Sequence, residues 1–333
     1  MNNSILATEL SAGISYADLL PYSVGPLMYT PATREGLADK IESNAFGGIT
    51  SLAICLEDAV GDGALSEAEH TLLNTLKEIR DKDLSYAPML FVRVRTPQHL
   101  AKIHTMLGNF NNELTGYILP KFDMTNALEY KELFLKINEM RDTPLFFMPI
   151  LESRSLAYNG SRIRELEKVK AVLDSVRPYI LNVRVGGNDF CNLYGLRRSV
   201  NQTIYDIGVV RDILVDVINV FAQEYVVSGP VWEYFGTDPQ GEWADGLKRE
   251  LELDLLNGFI GKTVIHPTQI PIIREGLAVR RKDFEDACSI LEWNNSALGV
   301  QSSSDKSRMN EVKCHGNWAK KTYILGKIYG IKD

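Results

Sequence analysis

The stretch SLAICLEDAVGDGALSEAEHTLLNTLKEIRDKDLSYAPMLFVRVR, residues 51–95, decides the fold. It opens on a nearly continuous apolar run, Ser51–Glu57, continues through residues patterned at helical spacing, and closes on a second run, Met89–Arg95. Continuous apolar character marks strands buried on both faces, as in a parallel sheet, whereas a strand with one wet face alternates. The stretch reads as strand, helix, strand.

The same rhythm repeats on either side. Further runs lie at Leu27–Thr30, Gly116–Lys121, Leu145–Leu151 and Ile180–Gly187, with two weaker ones at Val226–Glu233 and Gly261–His266. Caps are expected at Thr33, before REGLADKIESN, and at Ser66, before EAEHTLLNTLKEIR. Eight such units in about 250 residues fit a (β/α)8 barrel better than a doubly wound sheet of about five or six strands. The predicted fold is therefore α/β, a (β/α)8 TIM barrel with a C-terminal helical lid extension. A leading segment spans 1–24, the barrel 25–280 and the extension 281–333. Beyond His266-Pro267, helices are expected over Thr268–Leu277 and Arg281–Leu298. The polar stretch that follows reads as a flexible connection, with 301–311 as a mobile lid before the amphipathic end NWAKKTYILGKIYG.

Bulk properties narrow the function. The 333 residues are 45% apolar and 24% charged, an ordinary globular composition. A net charge of −7, with no basic run able to track a phosphate backbone, argues against nucleic acid and for a small-molecule partner. The first twenty residues lack a basic region and a long apolar core, so a cytoplasmic protein is expected. No apolar stretch approaches the roughly 18 residues that cross a bilayer. Cys55, Cys191, Cys288 and Cys314 make no CxxC pair and read as reduced, mostly buried thiols.

Charged groups stand where the strands end: Glu57 and Asp58, Arg93 and Arg95, Lys121, Glu152, Asp189, Glu233 and His266. In a barrel those ends converge on the rim where reactive groups sit. Glu152 and Asp189 close neighbouring runs and would repel unless a cation lay between them, which suits Mg2+, or Mn2+ in its place. The alternative pairs each with an arginine such as Arg154 or Arg184. Arg93 and Arg95, two apart on one strand, share a face and fit an anion, though one could instead pair Glu57 or Asp58. Lys121 suits an enolate-stabilising cation or a Schiff-base amine. His266 fits a helix-start hydrogen bond as well as catalysis. Gly186-Gly187-Asn188-Asp189 lets backbone approach a ligand closely, but has neither the dinucleotide nor the phosphate-loop spacing.

Taken in order, LMYTPA, CLEDAV (55–60), VRVR (92–95), LPK (119–121), ILES (150–153), GGNDF (186–190) and GKTVIHPTQI (261–270) form a set. The set resembles the citrate lyase β-subunit-like, or HpcH/HpaI aldolase, superfamily, in a divergent C–C bond lyase-like TIM-barrel branch. The resemblance implies a lyase or aldolase that acts on a small carboxylate, or its acyl-CoA thioester, through a metal-stabilised enolate. It further implies Mg2+ on Glu152 and Asp189, with Arg93, Lys121 and the lid acid Glu311 catalytic. Glu57, Asp58, Arg93, Arg95, Gly187, Asn188, Glu233 and His266 would contact substrate. A homo-oligomer, trimer or hexamer, is expected. Ser23-Val24-Gly25-Pro26 stands where coenzyme A-using relatives usually carry an arginine, so a different substrate is plausible. A metabolite- or nucleotide-binding regulatory barrel within a larger assembly is the competing expectation.

Overall fold

The eight expected runs all form strands in the computed structural model, which describes residues 14–82, 84, 86–293, 298–303 and 306–333. They are β1 (Pro26–Pro31), β2 (Ser51–Cys55), β3 (Met89–Arg93), β4 (Gly116–Leu119), β5 (Phe146–Leu151), β6 (Val183–Val185), β7 (Val227–Ser228) and β8 (Lys262–Val264). Every pairing is parallel, in the order β7-β6-β5-β4-β3-β2-β1-β8. A parallel bridge between Gly229 and Lys262 closes the ring, completing a (β/α)8 barrel.

The helices coat the barrel because their apolar residues fall on one stripe. In Leu65–Asp81 the buried positions include Ala68, Leu72, Leu76 and Ile79, spaced by three and four. Thr96 caps the helix Pro97–Leu107, accepting the His99 N–H at 3.1 Å with proline in the first turn.

Strand register sorts side chains into lumen and exterior. Cys55, Arg93 and Ile118 are paired partners, Arg184 is paired with Ile150, and Thr263 with Leu27, two residues before Tyr29. Side chains two apart share a face, so these positions form one set. Arg184 of β6 donates to the Thr263 hydroxyl of β8 at 2.7 Å, skipping β7. Only a path through the lumen allows that contact. The opposite set faces the helices, and Lys262 there is wholly buried against Glu250 at 2.8 Å and Asp254 at 2.6 Å, both on the helix Glu242–Leu256.

The barrel unit runs over residues 24–273, and the described residues of 14–23 group with 274–333 in a second compact unit. In that second unit the helix Arg281–Leu291 packs on the long helix Val312–Tyr329. Several local expectations change. The helix after Thr33 starts only at Leu37, because the chain first turns through Gly36 at φ 66°. Ser66 lies inside its helix, whose cap position is Ala64. The helix from Arg281 stops at Leu291; part of its expected remainder, 294–297, lies outside the described residues. Instead of an irregular connection, Val300–Ser302 pairs antiparallel with Met309–Glu311, with 304–305 outside the described residues. Asp286 anchors that hairpin by accepting from Arg308 at 2.5 Å and Asn310 at 2.9 Å. All four cysteines are free thiols, with Cys55 and Cys191 buried, Cys288 half-buried and Cys314 exposed. Among the described residues no helix is long and apolar enough to cross a membrane.

Removing one member of a buried ion cluster strands its partners without water. Lys262→Met is therefore expected to cost about 3–5 kcal/mol of unfolding free energy, read from denaturant titration. A loss below about 1 kcal/mol would show that the cluster is not a keystone of the β8–helix contact.

Candidate active site

Arg93 ends β3 and is 9% exposed, so its charge must be matched locally. Its Nη2 lies 2.6 Å from Glu57, 2.9 Å from Asp58 and 3.5 Å from Glu152. Burial opposes the charge, but Tyr29 and the surrounding carboxylates outweigh it and hold the guanidinium firmly protonated. Lys121 joins from the end of β4, with Nζ 2.6 Å from Glu57 and 3.8 Å from Asp58. Burial pulls the Lys121 ammonium down, yet its hydrogen bond to Glu57 prevails and keeps its pKa above the ordinary value. A Schiff-base nucleophile needs the neutral amine, so this environment suits a fixed cation instead.

The backbone of Lys121 takes φ 50°, a left-handed conformation that a residue with a side chain adopts only when its surroundings enforce it. Two contacts do so: the Lys121 N–H donates to Glu152 Oε1 at 3.0 Å, and Asn126 donates to the Lys121 carbonyl at 2.9 Å. The strained turn thus aims an amide at the Glu152 carboxylate.

Glu152, 5% exposed, follows β5, and Asp189 lies in the first turn of the short helix Gly187–Leu193 after β6. Burial pushes the Glu152 carboxyl up to about 8; Arg93 opposes the rise and the Asp189 charge adds to it. Asp189 has no side-chain hydrogen bond or ion pair among the described residues. Neither Arg154 nor Arg184 pairs with this couple; Arg93 is the arginine that reaches Glu152. Two mutually repelling carboxylates, one of them unpaired, fit a divalent cation whose remaining positions go to water or ligand oxygens. Among the described residues no three His, Cys, Asp or Glu side chains converge as a metal cluster, so any such ion would take most of its ligands from outside the protein. Glycine is required beside the pair. A Cβ on Gly186 would stand 2.1 Å from Glu152 Oε2, and one on Gly187 2.7 Å from the Pro230 ring.

The other expected residues scatter. Arg95 lies past the end of β3 and binds the loop after β2, donating to Leu56 O at 2.7 Å, Val60 O at 2.6 Å and Asp62 at 2.5 Å. It tethers that loop and stands outside the Arg93 cluster. Asn188 donates to Glu233 at 3.1 Å, and Glu233 also accepts from Arg197 at 2.9 Å, forming a second polar group that lines a cavity with Cys191 and Arg198. His266 stacks on Phe235, ring centroids 4.5 Å apart, and its Nδ1 meets the Thr268 hydroxyl at 2.8 Å, the helix-start bond. Glu311 belongs to the second unit, where its N–H donates to His315 at 2.9 Å. The sequence reading missed Tyr29, whose ring lies 5.8 Å from the Arg93 guanidinium, and the lumenal contact of Arg184 with Thr263. Register could have found them, because both share the face of Arg93.

The raised Glu152 pKa has a thermodynamic consequence. The unfolded chain releases this proton near 4.5, whereas the metal-free native protein keeps it until about 8. Between those values the native state binds more protons than the unfolded chain, so this group lowers stability as pH rises through the window. Wild type should lose more stability than Glu152→Gln between about pH 5 and 8 in metal-free thermal unfolding. A wild-type curve that parallels the variant, or rises relative to it, contradicts the assignment.

A search of curated proteins found no match. Among solved structures, the protein CitE from Mycobacterium tuberculosis, in complex with magnesium, acetoacetate and coenzyme A, matches with a TM-score of 0.60 at 16% identity, covering 91% of this chain and 97% of that one. RipC from Yersinia pestis matches at 0.53 and 18%, covering 77% and 95%. A citrate lyase beta subunit from M. tuberculosis, complexed with oxaloacetate and magnesium, matches at 0.50 and 17%, covering 77% and 98%. At these identities the likeness concerns the fold. The family model for the C–C bond lyase of the TIM-barrel fold matches residues 18–331, nearly the whole chain, and the protein belongs to that family.

Proposed function

We propose that this chain is a Mg2+-dependent carbon–carbon lyase or aldolase that cleaves or forms a bond beside a carboxylate, in a small acid or its acyl-thioester. The observation that carries the reading is the mutually repelling Glu152–Asp189 pair after β5 and β6, Glu152 buried and Asp189 half-buried, with the cations of Arg93 and Lys121 beside it. The family supports the reaction type, and the Mg2+ and small oxo-acid in the M. tuberculosis structures support the cofactor and substrate class.

In this reading Glu152 and Asp189 hold the ion. When bound, Mg2+ supplies a Lewis acid to the carbonyl that becomes an enolate as the bond breaks. Arg93 and Lys121 add a fixed positive field on the same side, already oriented by Glu57 and Asp58, so no reorganisation is needed as charge develops. Glu233 and Asn188 border the neighbouring cavity and contact the remainder of the substrate. Glu311 is the acid we assign to proton transfer from a lid, in its own or a neighbouring subunit, on the strength of the family resemblance alone. Its oligomer, a trimer or hexamer, follows from the same resemblance. The residues 23–26 offer no arginine to a coenzyme A phosphate, which favours a free acid.

Glu152→Ala and Asp189→Ala should each weaken Mn2+ or Mg2+ binding by at least about tenfold in calorimetry, a cost of roughly 1.4 kcal/mol. Wild-type protein with Mg2+ should release pyruvate, glyoxylate or acetyl-CoA from one of a panel of hydroxy acids and acyl-thioesters. Unchanged metal affinity in both variants sinks the metal assignment, and ligand binding without turnover across the panel would favour a regulatory barrel.

A further inference from the structure

Arg184 is the lumenal charge that the site described above does not use. It is 2% exposed and no carboxylate pairs with it among the described residues. Its Nη2 donates to Thr263, Tyr29 lies near enough to favour its charge, and its Nη1 has no hydrogen-bond partner among the described residues. A buried guanidinium without a counter-charge is costly, and the nearby Arg93 adds repulsion to the cost of burial. Other buried cations of the barrel are matched: Lys262 by Glu250 and Asp254, Arg198 by Glu250, Arg162 by Asp216. Arg184 alone among these fully buried cations lacks an anion within the described residues.

The lumen around it is not filled. Tyr29 and Thr263 point inward with Arg184, yet both remain partly exposed, while their outward-facing neighbours Met28 and Val264 are 2% and 0% exposed. Solvent therefore reaches inward-facing side chains in the middle of β1 and β8. Tyr29 also lies under Arg93, so this recess is continuous with the Arg93–Glu152 cluster.

We propose that Arg184, with Thr263 and Tyr29, receives a second carboxylate of the substrate in the lumen, so that the preferred substrate is a dicarboxylate. The planar fork of arginine suits a carboxylate, with Nη1 donating to the incoming oxygen while Nη2 stays on Thr263. The inference rests on the proposed function for the group at the other end of the substrate, but not for the anion site itself.

Two matched pairs test it by calorimetry with Mg2+ present: 2-oxoglutarate against 2-oxopentanoate, and oxaloacetate against 2-oxobutanoate, each pair differing by one terminal carboxylate. Wild type should bind at least one dicarboxylate about tenfold or more tightly than its partner, as one charge-assisted contact implies. Arg184→Met should bring that ratio within about twofold without changing the affinity of the monocarboxylate. Thr263→Val, nearly isosteric, should reduce the same ratio and decides the matter if the arginine variant does not fold. Absence of a dicarboxylate preference in wild type, or a preference that survives in the folded variants, overturns the proposal. Repeating the titrations without Mg2+ separates the two readings: a preference that depends on Arg184 but not on Mg2+ keeps the anion site and counts against the metal.

Discussion

The arrangement at the mouth depends on one buried guanidinium. Arg93 enters from β3 and draws together carboxylates that leave β2 and β5, strands it does not share. Without it, the poorly hydrated Glu57 and Glu152 and the exposed Asp58 would be three acids crowded around one point, and at least one would move apart or take up a proton. With it, each acid has a fixed place and Glu57 in turn fixes Lys121. Burial still raises the Glu57 carboxyl, while Asp58, despite its own burial, is held below the ordinary carboxylate range by Glu57 and Arg93. Such divergent environments for adjacent acids are what proton-transfer chemistry uses.

The strained turn at Lys121 belongs to the same logic. Its amide to Glu152 binds the β4 and β5 loops to one another, and the clearance at Gly186 lets β6 approach the same carboxylate. Three consecutive strands therefore define the position of one side chain. Precision of this kind is what the proposed role of Glu152 as a metal ligand would need, since small displacements of a donor are felt directly in affinity. The charge pattern on the other side of the sheet has a different character: Lys262, Glu250 and Asp254 satisfy one another and face no opening, which is the signature of structural rather than chemical use.

Much of this was legible in the sequence because barrel strands are short, apolar and buried on both faces. All eight runs became strands, and the residues at their ends, Glu57, Asp58, Arg93, Lys121 and Glu152, met in one cluster. What failed were features set by loops. Arg95 sits two residues from Arg93, but the strand ends at Arg93, so the two-residue period no longer governs where it points. Caps at Thr33 and Ser66 were displaced by turns that sequence signals alone do not rank, and the hairpin at 300–311 was hidden by polar residues whose partners lie on another helix. The importance of Arg184 and Tyr29 was obscured because a single charge inside an apolar run looks like an edge effect until register shows which way it faces.

The proposed chemistry requires a cation between Glu152 and Asp189. Anomalous diffraction from crystals soaked in Mn2+ tests this most directly. It should give one strong peak within about 2.0–2.3 Å of an oxygen from each carboxylate, with the ion otherwise coordinated by oxygen. A peak bound elsewhere on the barrel, or none between these two side chains at saturating Mn2+, would contradict the assignment.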